Sequence, residues 1–165
     1  MNSSTIIPSI IIRPFTRSDE AAIQEFYNSL GPESSAFFNV NHGNERRTMG
    51  YFDSSTKNHA FYAAMQGDLC VGVMFIWDLE KSIPYFGIAV RDDMQGKGVG
   101  TGMISYMTDV LKKSGYAGLL LDTAKENYAA RHLYEKCGFE KIGTHPSGEL
   151  LYLLRFPVEN PINPQ

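Results

Sequence analysis

The chain has 165 residues, of which 43% are hydrophobic and 20% charged, a composition that predicts one soluble globular domain. Its 15 Lys and Arg residues against 18 Asp and Glu give a net charge of -3. Neither half carries a basic tract, which disfavours nucleic-acid and membrane-surface partners because such binders concentrate positive charge on one face. Cys70 and Cys137 give no disulfide framework or zinc site, and the histidine spacing predicts no metal.

The apolar segments are too short or too interrupted to predict a membrane span. The longest uncharged apolar run, residues 69–77, has about half the length needed to cross a bilayer. The apolar stretch 6–12 is interrupted by Pro8 and follows no basic segment, unlike a secretory signal. We therefore expect a protein of the reducing cytoplasm without membrane attachment.

The first predicted elements are a strand and a helix. Three isoleucines at 10–12, shortly before a proline, predict a short strand that ends at the proline. From Ser18 or Asp19 as N-cap, apolar residues recur at helical spacing up to a Gly-Pro stop. Residues 31–58 are irregular and predict only one helix, near 45–52.

Three β-rich runs follow. The runs 59–65 and 69–77 flank a Gln-Gly-Asp turn and predict a β-hairpin. The third run, 83–90, leads directly into a glycine cluster at 95–100. The cluster therefore begins at the end of a predicted strand.

The second half of the chain alternates between helix and strand. Apolar residues at helical spacing from Val99 predict a helix of about four turns that ends near Gly115. A strand, a second helix and two closing strands follow, at 119–123, 127–137, 139–142 and 150–156. A strand-helix-strand unit requires a parallel pair and the hairpins require antiparallel pairs, so the sheet should be mixed. We expect one domain over residues 1–156 and an extended C-terminal tail at 157–165.

Three glycines, Gly96, Gly98 and Gly100, lie between a predicted strand and a predicted helix. Successive glycines let several N–H groups approach a ligand, and a helix N-terminus adds partial positive charge. The segment therefore predicts a phosphate or pyrophosphate cradle, with a tight turn that holds no ligand as the alternative. The Walker A register fails because Arg91 stands at its first glycine, and the dinucleotide fingerprint fails in both registers.

Several motifs in order resemble one family. They are the run Gln95-x-x-Gly98-x-Gly100 after a strand, the strand residues 119–122, and the run Asn127-x-x-Ala130-x-x-Leu133-Tyr134-x-x-x-Gly138-Phe139. Together they resemble the GNAT superfamily of acetyl-CoA-dependent N-acetyltransferases, most nearly its branch of ribosomal-protein N-terminal acetyltransferases. The resemblance covers about 83–142, and the first 60 residues match loosely. It implies an α/β (α+β-like) single-domain GNAT fold, with a mixed, mostly antiparallel sheet of six to seven strands and about four helices.

The resemblance implies acetyl-CoA as co-substrate. The pantetheine arm would pair, like an added strand, with the backbone of Ile88, Ala89 and Val90. The pyrophosphate would bind the segment made of Gln95, Gly96, Lys97, Gly98, Val99, Gly100 and Thr101. Physical chemistry agrees, since pantetheine amides suit a strand edge and an anion suits a helix start. Lys97 either adds a charge at a phosphate or is an ordinary solvated lysine, and both interpretations stay open.

Two residues of the second predicted helix share one face. Asn127 and Tyr134 are seven residues apart, which is two helical turns or about 10 Å. By the resemblance, Asn127 hydrogen-bonds the co-substrate and Tyr134 gives a proton to the departing thiolate, a role that suits a phenol. The alternatives are a helix N-cap for Asn127 and a core aromatic for Tyr134.

Asp122 is the predicted general base. An amine attacks only when neutral, so a base or a water relay to one is useful. Asp122 stands where the resembling branch has Glu, and its shorter side chain favours the water relay. The alternative is a strand-end carboxylate that caps a loop.

The predicted function is direct acetyl transfer to a primary amine in a ternary complex, with a non-catalytic acyl-CoA-binding module as the alternative. The acceptor, a small molecule or a peptide amine, should lie against the irregular first part of the chain and the loop at 145–148. Candidate acceptor-site carboxylates are Glu33, Glu45 and Asp53. Phe37, Phe38, Tyr51, Phe52 and Tyr152 could form an aromatic wall there, although core packing is the favoured interpretation for most of these residues. The sequence leaves a homodimer open.

Overall fold

The computed structural model describes residues 9–42, with side chains up to residue 37, and residues 58–157. The helix predicted near 45–52 lies outside the described residues, as does the tail beyond Pro157. No helix in these described ranges is long and apolar enough to cross a membrane.

Seven strands form one sheet: β1 (Ile10–Pro14), β2 (His59–Gln66), β3 (Leu69–Trp77), β4 (Tyr85–Val90), β5 (Gly118–Thr123), β6 (Glu140–Thr144) and β7 (Leu150–Arg155). The described residues also form four α-helices: α1 (Glu20–Ser29), α2 (Pro32–His42), α3 (Val99–Lys113) and α4 (Tyr128–Lys136). The strand order is β1-β2-β3-β4-β5-β7-β6, with β4 and β5 parallel and the other neighbours antiparallel. The predicted mixed, mostly antiparallel sheet is confirmed.

Helix α2 corrects the prediction that the chain is irregular after residue 31. Pro32 is its first residue, a position where the fixed φ of proline suits the helix and its missing N–H would have no helical partner. The Gly-Pro pair therefore ends α1 and begins α2 as well. The prediction failed because α2 is rich in Ser and Asn and has no apolar stripe for periodicity to detect.

The central strand β3 is buried along most of its length because helices cover both faces of the sheet. On one face, Phe75 packs in a cluster with Ile23 and Phe26 of α1. On the other face, Met74 packs in a cluster with Met103 of α3. Residues that alternate along β3 thus join two separate cores, which explains its uninterrupted apolar sequence.

Strands β4 and β5 begin together and then separate. Their register contains a single pair, Tyr85 with Leu120, and the Leu120 N–H donates to the Pro84 carbonyl at 3.0 Å. Residues 88–90 keep their pairing with β3 on the other side. The sheet therefore opens on the β5 side of β4 toward the carboxyl ends of both strands, where α/β folds hold their ligands.

An ion pair connects β1 to the start of the first helical segment. The Arg13 Nη1 and Nη2 atoms lie 2.7 and 2.8 Å from the two Asp19 carboxylate oxygens, and the Thr16 N–H donates to Asp19 Oδ2 at 2.7 Å. Asp19 is the N-cap residue of α1, one of the two predicted positions, but its side chain makes no cap to that helix and instead bonds back to Thr16 at the start of a short 3-10 turn at 17–19. The Arg13 hydrogen bonds hold the pKa of the buried Asp19 at about 2, against 3.8 ordinarily.

Asp19→Asn should destabilise the protein at neutral pH. Because the carboxyl of Asp19 has a lower pKa when folded than when unfolded, its contribution is complete above about pH 4 and is lost as the pH falls toward 2. We expect urea unfolding to show a loss of about 2 kcal/mol at pH 7 and a flatter pH dependence between 4 and 2.

The matched control is Asp93→Asn, which removes a 68% exposed partner of Arg91. Its cost should stay below about 0.5 kcal/mol because water screens an exposed pair. Equal losses in the two variants would contradict the assignment of stability to the Arg13 and Asp19 pair.

Candidate active site

A cavity of about 540 Å³ lies where β4 and β5 separate. Its walls come from α2, β4, the loop before α3, the end of β5, and α4. All but two of the sequence-predicted site residues line it: Ile88, Ala89, Val90, Gln95, Gly96, Gly98, Gly100, Thr101, Asp122, Asn127 and Tyr134. The structure thus brings together residues as far apart along the chain as Ile88 and Tyr134, which are separated by 46 positions. Ligand pockets are commonly built from such distant segments.

Lys97 and Val99 do not line this cavity. Val99 is 6% exposed and packs in the core beneath α3, because it is the first residue of that helix and its side chain faces the sheet. It can therefore meet a ligand only through its backbone. Lys97 is exposed, which agrees with the interpretation of a solvated lysine.

The loop before α3 has the shape of an anion cradle. Gly96 and Gly98 have φ angles of 74° and 85°, which L-residues rarely adopt, and Gly98 is the N-cap of α3. No side chain caps this helix. A Cβ atom on either glycine would meet no protein atom within 4 Å, so the space in front of the loop is not filled by the protein. Helix N-terminal N–H groups beside such a space suit a phosphate.

Gly100 has a different function, the close approach of α3 and α4. A Cβ atom at this position would lie 2.8 Å from Leu133 Cδ2, closer than real side chains come. The missing side chain therefore lets α4 pack directly beside the glycine loop. This contact places Tyr134, the residue after Leu133, in the same cavity as the cradle.

Strand β4 presents backbone groups to the cavity. Pro84 directs its carbonyl toward β5, and alternate residues of a strand direct their backbone groups to the same side. Ile88 and Val90 lie an even number of residues after Pro84, so their N–H and C=O groups also point toward β5 and face the gap where pairing with that strand has ended. The Val90 carbonyl accepts a 3.3 Å hydrogen bond from Gln95 Nε2. This edge can pair with an extended ligand that contains amides.

Tyr134 is both a core aromatic and a cavity residue. Its ring is 6% exposed and lies 5.7 Å from the Phe139 ring and 6.1 Å from the Tyr152 ring, centroid to centroid. Within the described residues its hydroxyl makes no hydrogen bond, and every fully buried side-chain polar atom there has a partner, so this hydroxyl reaches the cavity. Burial, and then the charge of Asp122, raises the pKa of Tyr134 well above its usual range. The phenol therefore stays protonated at neutral pH.

Asp122 is held by a residue that sequence reasoning missed. Tyr85, half-buried on β4, donates a 2.7 Å hydrogen bond from its hydroxyl to Asp122 Oδ2. Burial, the Asp122 hydrogen bond and charge, and the charge of Glu149 raise the pKa of Tyr85. The two residues are 37 positions apart, and an aromatic residue that opens a strand gives no sequence signal beyond core packing.

Asn127 is the N-cap of α4. Its side-chain oxygen accepts a 3.3 Å hydrogen bond from the Ala130 N–H, which confirms one of the two interpretations of this residue. Asn127 and Tyr134 both line the cavity, as their spacing on one helix face predicts. Contact of Asn127 with a co-substrate stays a prediction.

The unpredicted helix α2 forms the remaining wall of the cavity. Leu30, Glu33, Ser34 and Phe37 line this wall, so Glu33 and Phe37 lie where the sequence predicted an acceptor. The side chain of Phe38 lies outside the described residues, as do Glu45, Tyr51, Phe52 and Asp53.

Tyr152 is a core residue, the interpretation that the sequence favoured for most of the aromatics, and does not belong to an aromatic wall. It is fully buried, and its hydroxyl donates to Glu135 Oε1 at 2.9 Å. Strand β7 lies between β5 and β6, which buries one face of the strand under α4. Tyr152 therefore contacts the ring of Tyr134 from the core side and does not line the cavity.

Two polar contacts hold the α1–α2 connection against the loop before α3. The Gly31 N–H donates to Asp92 Oδ2 at 2.8 Å. Arg91 Nη1 lies 2.8 and 2.7 Å from the two carboxylate oxygens of Glu25. The wall formed by α2 is thereby fixed relative to the glycine loop.

The residues that line this cavity carry hydroxyls, side-chain amides, the carboxylates of Glu33 and Asp122, the imidazole of His132 and the ammonium of Lys136. Within residues 9–42 and 58–157, no group of three or more His, Cys, Asp and Glu side chains is placed to hold a metal ion.

Comparison with known proteins identifies the family. The model of the acetyltransferase (GNAT) family matches residues 16–139, which include the glycine loop and the strand and helix that carry Asp122 and Tyr134. The chain belongs to the GNAT acetyltransferase family.

Curated relatives of this GNAT protein match it over shorter stretches. It is 41% identical over 58 residues to the N-acetyltransferase YobR of Bacillus subtilis, covering 35% of this chain and 24% of YobR. It is also 41% identical over 56 residues to the ribosomal protein bS18-alanine N-acetyltransferase of Escherichia coli K12, covering 34% of this chain and 38% of that protein. The chain thus spans less than half the length of these relatives. The second match supports the predicted resemblance to the ribosomal-protein branch.

A solved structure shares the fold of this GNAT protein. It is the PaiA N-acetyltransferase of Thermoplasma acidophilum in complex with coenzyme A, with a TM-score of 0.74 and 14% identity over 90% of this chain and 99% of that chain. At this identity the likeness shows the fold alone. It confirms the predicted GNAT fold.

Gly98→Ala should weaken the binding of CoA. An L-residue in this left-handed conformation costs about 1–2 kcal/mol, so the loop should relax and move its N–H groups away from the phosphate position. We expect the Kd for CoA, measured by titration calorimetry, to rise about tenfold.

The control is Gly102→Ala, one turn further along α3, where a Cβ atom meets nothing within 4 Å. Alanine is the better helix former there, so stability should rise by about 0.5–1 kcal/mol while the Kd stays the same. An unchanged Kd in Gly98→Ala would show that the cradle does not hold the ligand.

Proposed function

We propose that this GNAT protein transfers the acetyl group of acetyl-CoA to a primary amine by direct attack in a ternary complex. The observation that carries this proposal is Tyr134, a buried phenol whose hydroxyl has no hydrogen-bond partner in the described residues and opens into the cavity that holds the glycine cradle. A proton donor beside a phosphate site suits the departure of a CoA thiolate.

The described residues fit acetyl-CoA in two places. The positive-φ glycines at the start of α3 suit the pyrophosphate, because N–H groups and a helix N-terminus meet an unfilled space there. The open edge of β4 at 88–90 suits the amides of the pantetheine arm. Bound acetyl-CoA would supply the thioester carbonyl that the amine attacks.

The residues of this chain would divide the chemistry of transfer among them. A backbone N–H of Ile88 or Val90 stabilises the oxyanion that forms at the thioester carbonyl. Asp122 accepts a proton from the amine, directly or through a water molecule. Tyr134 donates its proton to the departing sulfur and recovers one from solvent.

The wall opposite β4 supports a cationic acceptor. Glu33 and Asp122 line the cavity with one lysine, Lys136, and an excess of carboxylates in a cleft raises the local concentration of amines that are protonated in solution. A peptide α-amine, the kind of acceptor that the name of the E. coli relative gives for that protein, is therefore a reasonable first acceptor to test. We also propose one acetyltransferase domain up to residue 156, since β7 ends at Arg155.

The proposal predicts release of CoA thiol in the presence of an amine. The full chain is mixed with acetyl-CoA and, separately, a peptide that begins with alanine, free lysine, spermidine and an aminoglycoside, while a thiol reagent follows CoA. At least one amine should raise the rate more than tenfold over acetyl-CoA alone. Binding of CoA without thiol release for any amine class would instead favour a non-catalytic acyl-CoA-binding module.

Tyr134→Phe should separate binding from turnover. The variant keeps the ring that packs with Phe139 and loses only the hydroxyl, so the Kd for CoA should stay within twofold. Loss of a general acid should lower kcat about 10²-fold with the amine that gives the fastest thiol release.

The control is Tyr106→Phe, a tyrosine on α3 whose ring lies against Tyr62 and outside the cavity. Its kcat should match that of the wild type. A Tyr134→Phe enzyme of full activity would remove this phenol from the mechanism.

A further inference from the structure

Tyr85 occupies the point where β4 and β5 part. It forms the single register pair between these strands with Leu120, and Asp122 lies two residues further along β5, on the same face of the sheet as Leu120. The 2.7 Å hydrogen bond from Tyr85 to Asp122 therefore spans the two strands at the start of the gap. Asp122 lines the cavity, whereas Tyr85 does not.

We propose that Tyr85 is a positioning residue for acetyl transfer, which holds the carboxylate of Asp122 in the orientation that receives the amine proton. The inference rests on the proposed function, in which Asp122 is the base. Tyr85 acts through Asp122 because its own hydroxyl faces the neighbouring strand and not the cavity.

The groups around Asp122 limit the part that Tyr85 can take in proton transfer. Two tyrosines lie near Asp122: Tyr85 on β4, which donates a hydrogen bond to it, and Tyr134 on α4, whose pKa its charge raises. The charge of Glu149, which lies just before β7, also raises the pKa of Tyr85. Burial together with the two carboxylates raises the pKa of Tyr85, so its hydroxyl stays protonated at neutral pH. A phenol that keeps its proton can donate to Asp122 but cannot take the proton of the amine.

An aspartate at this position gains more from such a hydrogen bond than a longer residue would. Its carboxylate is one methylene closer to the strand than that of the Glu in the resembling branch, so small rotations decide whether it points into the cavity. A hydrogen bond to a charged acceptor is among the stronger polar interactions and restricts that rotation.

Two protons move during transfer, one from the amine to Asp122 and one from Tyr134 to sulfur. The amine nitrogen forms the new C–N bond at the thioester carbon, and the proton that it loses passes to the Asp122 carboxylate, directly or through water. The C–S bond breaks with its electron pair on sulfur, which takes the Tyr134 proton. Asp122 then releases its proton to solvent and Tyr134 regains one, while Tyr85 keeps its own throughout.

Tyr85→Phe tests the proposal, with Tyr116→Phe as the matched control. Tyr116 also donates a short hydrogen bond, 2.8 Å from its hydroxyl to the Leu79 carbonyl, but lies outside the cavity. The assay measures kcat from pH 4.5 to 9 with saturating acetyl-CoA and the amine that releases thiol fastest. Tyr85→Phe should lower kcat at pH 7 about tenfold and leave the KM for acetyl-CoA within twofold.

The Asp122→Asn background separates positioning from a purely structural contribution. If Tyr85 acts through Asp122, adding Tyr85→Phe to Asp122→Asn should lower kcat by less than twofold. Independent, multiplicative losses in the double variant would overturn the proposal, as would a Tyr85→Phe profile that matches Tyr116→Phe.

An NMR measurement that needs no amine acceptor tests the contact between Tyr85 and Asp122 separately from the proposed function. In the full chain labelled with ¹³Cζ-tyrosine, the Tyr85 resonance should remain that of a phenol at pH values near 10, where a tyrosine in a model peptide ionises. Asp122→Asn should lower the pKa of Tyr85 by at least one pH unit. A wild-type protein that shows this coupling but acetylates no amine would refute the proposed function, whereas an active enzyme without the coupling would refute the role of Tyr85.

Discussion

The early separation of β4 and β5 is the constraint on which the rest of the site depends. Two parallel strands that share one register pair leave the β5-facing backbone groups of residues 88–90 without a partner strand, while the other side of β4 stays paired with β3. Backbone groups that lose their strand partner need hydrogen bonds from another source. Continued pairing with β5 would fill the cavity with sheet. The gap also sets the position of the end of β5, and hence of Asp122, opposite the helix that carries Tyr134. One break in the sheet therefore creates the proposed ligand edge and the proposed reaction centre together.

The core holds the phenol of Tyr134, the proposed proton donor, in place. Packing of the Tyr134 ring against Phe139 and Tyr152 fixes its orientation without using its hydroxyl. A hydrogen bond from the protein would fix it equally well but would occupy the proton that transfer requires. The Asp122 carboxylate has no such packed ring and is fixed instead by a hydrogen bond from Tyr85. The two groups thus gain their orientation from different forces.

The sequence predicted best what depends on local pattern. The strands, the glycine loop and the shared face of Asn127 and Tyr134 follow from periodicity and spacing, and the structure places them as expected. Helix α2 escaped prediction because it has no apolar stripe, so only its contacts with the loop before α3 reveal its place. Tyr85 and Tyr152 show the other limit: both are aromatic residues in strands, and only the strand order decides that one meets Asp122 and the other the core.

The attachment of α2 has a consequence for how such an enzyme changes over evolutionary time. Its connection to α1 is tied to the glycine loop by Gly31 with Asp92 and by Glu25 with Arg91, polar contacts at the surface that add little to global stability. Substitutions in α2 should therefore cost little stability, whereas substitutions in β4 or α4 disturb the core. Under the proposed function, selection can thus exchange one acceptor for another while the residues proposed to bind acetyl-CoA stay constant.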